Sequence, residues 1–311
     1  MVGPERVAGG QPVARPDQPV TAAYLERLAA RSATVGTVLC VGIDPDPASL
    51  PAGFPADVAG IERFARLVVE ACAPVAAAFK PNLAFFEAFG AAGVAALERV
   101  RAAVPADIPV VADAKRGDVE TTVARQAVAC YDALGADAVT ASPYLGLGPL
   151  AAFLERADRF VYVLCRTSNP GAGEIQGLRV DADRAAGFPA EPLHRRVARL
   201  VAAAGQGSRA GLVVAATAPG ELAGIRALVP GLAFLVPGVG AQGGDARATL
   251  QDGPASTPPA GGRPGGGLLV NVSRGIVGAA VGPVPAGELA DPGERLAAAA
   301  RSWAARLPVL S

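Results

Sequence analysis

The stretch VVADAKRGDVETT, Val110 to Thr122, sets Asp113, Lys115, Arg116 and Asp118 directly after an apolar run. Asp113 and Lys115 are two residues apart, so on an extended strand they face the same way. A lysine taken out of water keeps its proton only beside a counter-charge. Charges clustered in that way suit an active site. Lys80, at the end of another apolar run, supplies a cation that holds Asp113 ionised, while Asp113 and Asp118 hold Lys115 protonated. Two lysines and two aspartates in alternation are neutral as a set, so all four can stay charged in a low-dielectric pocket. Arg116 has the opposite parity and drops out. The same spacing also suits a solvated turn in which Asp118 caps a helix.

Such a pocket needs elements to position it. Eight short apolar runs recur: TVLCVGID, VAAAFKP, IPVVADA, ADAVTAS, FVYVLCRTS, GLVVAAT, LAFLVPG and GLLVNVS. Most are continuous rather than alternating, the pattern of strands covered on both faces of a parallel sheet. Alanine-rich helical stretches such as IERFARLVVEACAP and HRRVARLVAAAG lie between them. Eight strand–helix repeats predict an α/β fold, a TIM (β/α)8 barrel; seven would return the open doubly wound sheet.

Barrel chemistry sits at the C-terminal ends of the strands, and the polar residues collect there. The first run ends in Asp44, the second in Lys80, the third in Asp113 and Lys115, the fourth in Thr140 and Ser142, and the fifth in Arg166 to Asn169. The seventh runs into PGVGAQGG and the eighth into Ser273–Arg274. Loops in these last two places bind phosphate in many barrels; glycine N–H groups approach an anion closely and a guanidinium fork grips it. Arg166 either touches the site or serves as a structural ion-pair partner.

Composition narrows the rest. Of 311 residues 51% are hydrophobic, and 28 basic residues balance 28 acidic ones, which leaves no electrostatic footprint for nucleic acid or an anionic membrane. No uncharged apolar run reaches the roughly 18 residues of a membrane span. Residues 1–20 read as a flexible lead-in with no secretory signal, and 21–311 as one barrel domain. The Gly/Pro-rich segment 251–267 reads as a mobile insertion at the barrel's N-terminal end, without catalytic work. Cys40, Cys72, Cys130 and Cys165 are widely spaced in apolar runs and read as buried, reduced thiols of a cytoplasmic protein. With His194 the only histidine, no zinc-ligand spacing exists. His194 is expected at the exposed start of a helix.

At these residues the sequence resembles the orotidine 5′-phosphate decarboxylase family, in its longer bacterial branch. DAKRGD matches the family's Asp-x-Lys-x-x-Asp signature, FKPNLAFFEAFG its second-strand segment, TSNPGA its pyrimidine-contacting loop and PGVGAQGGD its phosphate loop. The matches run from Asp44 to Arg274.

The resemblance implies decarboxylation of orotidine 5′-phosphate to UMP and CO2 in de novo pyrimidine biosynthesis, with no cofactor and no metal. It implies that Lys115 delivers the proton, that Asp113 sits beside the substrate carboxylate, and that Asp44 and Lys80 bind ribose hydroxyls. Asp118 and Thr122 would reach across a homodimer interface into the partner's site. Ser168 would bond the pyrimidine edge, Pro237 and Gln242 would belong to the loop over the phosphate, and Arg274 would bind the phosphate itself. The signature alone is shared with sugar-phosphate decarboxylases and lyases, whose metal-dependent members carry an acidic residue in place of Lys80; a non-catalytic phosphate-binding barrel is the other alternative. Glu120 departs from the pattern. Pointing outward it is harmless, and pointing inward it opposes an anionic ligand.

Overall fold

A computed structural model describes residues 23–204, 207–240, 242–282 and 291–310. The lead-in expected over residues 1–20 lies outside the described residues.

The strands are β1 (Leu39–Ile43), β2 (Ala78–Pro81), β3 (Val111–Arg116), β4 (Ala138–Ala141), β5 (Phe160–Arg166), β6 (Arg179–Val180), β7 (Glu191–Pro192), β8 (Ala210–Val214), β9 (Phe234–Val236) and β10 (Leu268–Val272). Eight of them form one parallel sheet in the order β2-β1-β10-β9-β8-β5-β4-β3. Its two ends meet: Phe79 bridges Val110 and Asn82 bridges Asp113, with the Phe79 N–H donating to Pro109 O at 3.0 Å. The expected barrel is therefore the observed one. β6 and β7 form a small antiparallel hairpin outside it.

The helices are α1 (Tyr24–Val35), α2 (Val58–Cys72), α3 (Ala84–Glu87), α4 (Gly90–Ala103), α5 (Glu120–Ala127), α6 (Ala151–Leu154), α7 (Ala172–Gln176), α8 (Leu193–Ala203), α9 (Pro219–Leu228), α10 (Ala246–Asp252), α11 (Arg274–Val281) and α12 (Pro292–Arg306). Their sequences explain their ends and faces. α2 starts where the Asp57 carboxylate accepts the Gly60 N–H, and it buries Ile61, Phe64, Ala65, Val68, Val69 and Cys72, spaced by three and four.

The continuous apolar strands are explained by two cores, one on each side of the sheet. Leu39, Val41, Phe79, Leu212, Val214, Phe234, Val236, Leu268 and Val270 face the helices. Cys40, Ala78, Val111, Ala138, Tyr162, Val213, Leu235 and Leu269 fill the barrel. At its N-terminal end α1 plugs the interior with Tyr24, Leu25 and Leu28; the Tyr24 ring stacks on Phe160 and its hydroxyl lies 3.2 Å from that of Tyr162.

The Gly/Pro-rich segment sits at this end too, but packed rather than free. Ala255 and Ala260 are buried in the inner core, Ala255 N–H bonds Gly266 O, and Ser256 N–H bonds Pro230 O. Gly267 has φ +64°, and a Cβ there would stand 2.8 Å from that of Ala260. Glycine lets the segment turn tightly and lie flat on the barrel floor, where low complexity reads as mobility only when packing is ignored.

All four cysteines are buried free thiols, and burial pushes Cys40 and Cys72 up to about 12 and Cys130 to about 11. No described helix is long and apolar enough to cross a membrane.

Candidate active site

The site is the next layer of the barrel interior. Inward parity carries Ala78 to Lys80, Val111 to Asp113, Ala138 to Thr140, and Leu269 to Asn271. One step from the apolar core the lining becomes polar, and a cavity of about 560 Å³ opens above it. A cavity of that size accommodates a nucleotide-sized ligand.

Its centre is an ion-pair chain. Asp113 Oδ2 accepts from Lys80 Nζ at 2.5 Å and Oδ1 from Lys115 Nζ at 2.6 Å. Burial pushes the Asp113 carboxyl up, but Lys80 and Lys115 together outweigh it and hold the group well below the usual carboxylate range. For Lys80 burial pulls downward, and Asp113 and Asp44 outweigh it, so the ammonium is held charged above its ordinary range. The Lys80 side chain is 6% exposed and that of Lys115 is 52% exposed. One lysine is therefore a fixed internal charge and the other stands open to solvent.

The local backbone differs from the extended strand that parity assumed. Lys115 has φ +47°, the one positive-φ residue other than glycine among the described residues, and β3 shifts register against β4 between Ala112 and Arg116. A non-glycine residue in that region costs about 1–2 kcal/mol. Thr140 holds it there: its Oγ1 accepts the N–H groups of Ala114 at 3.1 Å and Lys115 at 3.0 Å and donates to Asp113 Oδ1 at 3.1 Å. Lys115 reaches Asp113 through this kink rather than through a straight strand.

Asp44, Lys80, Asp113, Lys115, Ser168, Pro237, Gln242 and Arg274 all line the one cavity. Arg274 opens α11 with its side chain exposed and no ion-pair partner beside it among the described residues. Asp118 and Thr122 are not in the lining. Gly117 abuts the Ser142 carbonyl, where a Cβ would stand 2.6 Å from the oxygen, and the chain turns away. Asp118 Oδ1 then takes the Val119 N–H at 2.7 Å, so Asp118 does not hold Lys115 within its own chain as the spacing had suggested. Glu120 is exposed in the first turn of α5 and does not face the cavity of its own chain. Arg116 pairs with Glu87 and Arg166 with Glu221, both outside the lining.

His194 corrects the expectation of exposure. It does open a helix, α8, but is 5% exposed, with Nδ1 3.0 Å from Gln176 O. The excursion 171–192 folds back over it, which no local signal foretells.

Sequence reasoning passed over Asn82, Gln176 and Asn271, and it placed Thr167, Asn169 and Ser273 at strand ends without giving them a role; all six are in the lining. Asn271 had a signal: it is the one polar residue within the run GLLVNVS before its last position. Asp44 Oδ1, Asn271 Oδ1 and Ser273 Oγ are buried without a hydrogen-bond partner, which marks the β1–β10 side of the cavity as facing a ligand. Gly42 makes that side possible, since a Cβ there would lie 2.6 Å from Ser273 Cβ and 3.2 Å from Asn271 Oδ1. Among the described residues no group of His, Cys, Asp and Glu is arranged to hold a metal ion.

Comparison with known proteins agrees with this geometry. The model of the orotidine 5′-phosphate decarboxylase / HUMPS family matches residues 37–290. An orotidine 5′-phosphate decarboxylase of Herpetosiphon aurantiacus is 42% identical over 260 residues, covering 83% of this chain and 91% of that one. One of Thermomicrobium roseum is 44% identical over 286 residues, covering 91% of this chain and 93% of that one. Among solved structures, OMP decarboxylase of Leishmania donovani superposes with a TM-score of 0.73 at 38% identity, over 91% of this chain and 97% of that one. On a match that spans nearly the whole barrel and every strand end in the cavity, the chain belongs to the orotidine 5′-phosphate decarboxylase / HUMPS family.

Proposed function

We propose that this protein decarboxylates orotidine 5′-phosphate to UMP and CO2, the step that completes UMP in pyrimidine biosynthesis. The observation that carries the reading is the Lys80–Asp113–Lys115 chain at the barrel mouth, with unpaired Arg274 on the wall of the same cavity.

Loss of CO2 leaves an electron pair on C6 of the pyrimidine with no conventional π sink. The Lys115 ammonium, fixed by Asp113, meets that charge as it forms and then transfers its proton to C6. The lysine regains a proton from water, to which its side chain is half open. Asp113, beside the substrate carboxylate, would meet it with about 4 kcal/mol of repulsion at 4 Å and an effective dielectric of 20. Its double grip by two ammonium groups tempers that repulsion and makes positioning of Lys115 its main task. Arg274 binds the phosphate, remote from the bond broken, and that binding energy is available to bring the Pro237–Gln242 loop over the ligand. Asp44 and Lys80 take the ribose hydroxyls, and Ser168 the pyrimidine edge.

Asp118 and Thr122 serve the site of a second copy in a homodimer. Support lies in the surface around them: Val119 (55% exposed), Tyr144 (81%) and Leu145 (49%), in the segments that follow β3 and β4, leave apolar groups in water. Mixing Lys115→Ala with Asp118→Ala subunits tests this. Shared sites restore about a quarter of full activity in the mixture; sites complete within one chain restore none. A cytoplasmic setting accords with four buried free thiols.

The direct test is orotate absorbance with orotidine 5′-phosphate as substrate. Loss of absorbance that a chelator leaves unchanged is expected. No loss, or loss that needs a divalent cation, rejects the reading.

A further inference from the structure

Ser168 sits in the cavity between Thr167 and Asn169, on a loop that leaves the barrel after β5. Loop residues that contact ligand need something rigid behind them. Here the support comes from outside the barrel. Gln176, the last residue of α7, accepts the Thr167 N–H on Oε1 at 2.9 Å and donates from Nε2 to Thr167 Oγ1 at 2.8 Å. Thr167 passes its own hydroxyl proton to Asn169 Oδ1 at 2.6 Å. The backbone N–H can only donate, so the orientation of the Gln176 amide is fixed, and the direction of the relay follows from it. Both neighbours of Ser168 thus depend on one side chain.

Gln176 is itself fastened to the core. Its carbonyl accepts from Nδ1 of buried His194, and the His194 carbonyl accepts the Cys165 S–H at 3.1 Å, back on β5. A carbonyl only accepts, so Nδ1 carries the proton. The rest of the excursion is stapled to α8: Leu193 N–H bonds Leu178 O at 2.7 Å, and Glu191 pairs with Arg196 at 3.1 Å and Arg199 at 2.9 Å. The loop is also close to the opposite wall. A Cβ on Gly238 would lie 3.2 Å from Ser168 Cβ and 3.4 Å from Gln242 Oε1, so the place of Ser168 also sets the gap facing the Pro237–Gln242 loop.

We infer that Gln176 is a positioning residue for recognition of the pyrimidine ring: it sets Ser168 through Thr167 and Asn169, and His194 anchors it. The inference rests on the reading of the cavity as an orotidine 5′-phosphate site. It makes the excursion after β5 part of the site although none of its residues lies in a barrel strand.

A double-mutant cycle with Ser168 tests it. Gln176→Leu keeps the volume and removes both bonds. In the otherwise wild-type enzyme it lowers kcat/KM for orotidine 5′-phosphate about tenfold or more. In the Ser168→Ala background it costs less than about twofold, because the residue it acts through is gone. Binding of ribose 5-phosphate, which lacks the ring, stays within about twofold in every variant. Gln176→Glu, which retains the acceptor for the Thr167 N–H but not the donor, gives the same pattern if the leucine variant does not fold. Equal losses in both backgrounds, or equal weakening of ribose 5-phosphate, overturns the inference and leaves the proposed function standing. A wild-type enzyme inert toward orotidine 5′-phosphate overturns both.

Discussion

Two aspartates stand at opposite ends of this barrel, Asp137 buried and Asp113 half-buried, each gripped by more than one cation. At the floor, Asp137 meets Arg27 at 2.7 Å, Arg159 at 3.3 Å and Arg101 at 3.6 Å, and takes the Val110 N–H at 2.7 Å. At the mouth, Asp113 meets Lys80 and Lys115 and takes the Thr140 hydroxyl. The carboxylates are alike; the cations are not. Guanidinium groups do not give up a proton and fork across several acceptors, so the floor cluster ties the start of β4 to α1 and the segments around it. An ammonium on a flexible stem can move and transfer a proton, which is what the proposed function asks of the mouth cluster. The same electrostatic problem is solved once with guanidinium groups and once with ammonium groups.

The two excursions from the barrel divide in the same way. Segment 251–267 packs on the floor with glycine and alanine and shares a core with α1. The excursion 171–192 packs beside the mouth and sends one polar side chain, Gln176, into the lining.

The largest effect that sharpens this contrast is at Lys115. Lys115→Ala lowers decarboxylation by about four orders of magnitude or more while UMP still binds, as a steady-state assay and calorimetry will read. Substantial remaining turnover would erase the difference between the two clusters. Next comes Asp137→Ala, which loses about 3 kcal/mol in denaturant unfolding, because three half-buried guanidinium groups lose a shared counter-charge. Its kcat in the folded enzyme stays near wild type; a fall in kcat would give the floor a catalytic share. Arg274→Ala weakens phosphate-bearing ligands about 30-fold and phosphate-free nucleosides hardly at all. Equal weakening of both would remove phosphate from its role.

The smallest expected effect is an absence of titration. The Asp113 carboxyl is held well below its ordinary range in the folded protein. The stability it contributes is therefore fully present above about pH 4 and lost only as the pH falls below the ordinary carboxylate value. The pH profile of kcat/KM should show no inflection removed by Asp113→Asn between about pH 5 and 8. Such an inflection would mean that the two ammonium groups do not hold it.

Much of this was readable from the chain. Strand count and the polar residue ending each run depend on local periodicity, so Asp44, Lys80, Asp113, Lys115, Ser168 and Arg274 could be assigned to one mouth before any contact was known. Parity reached the right place for Lys115 by the wrong backbone, because the kink depends on Thr140, 25 residues further along. Gln176 left no trace: a glutamine in a polar loop looks like any other until sheet closure and the return of α8 bring it to Thr167.

The amino-acid order alone thus determined the alternation of strands and helices and the layer of charge at the strand ends, because side-chain direction along a strand is a local property. Only the tertiary structure decided that Asp118 turns away from its own cavity, that the single histidine is buried, and that the Gly/Pro-rich segment is floor rather than free loop. These outcomes rest on contacts between residues far apart in the chain, and such contacts exist only once the barrel has closed.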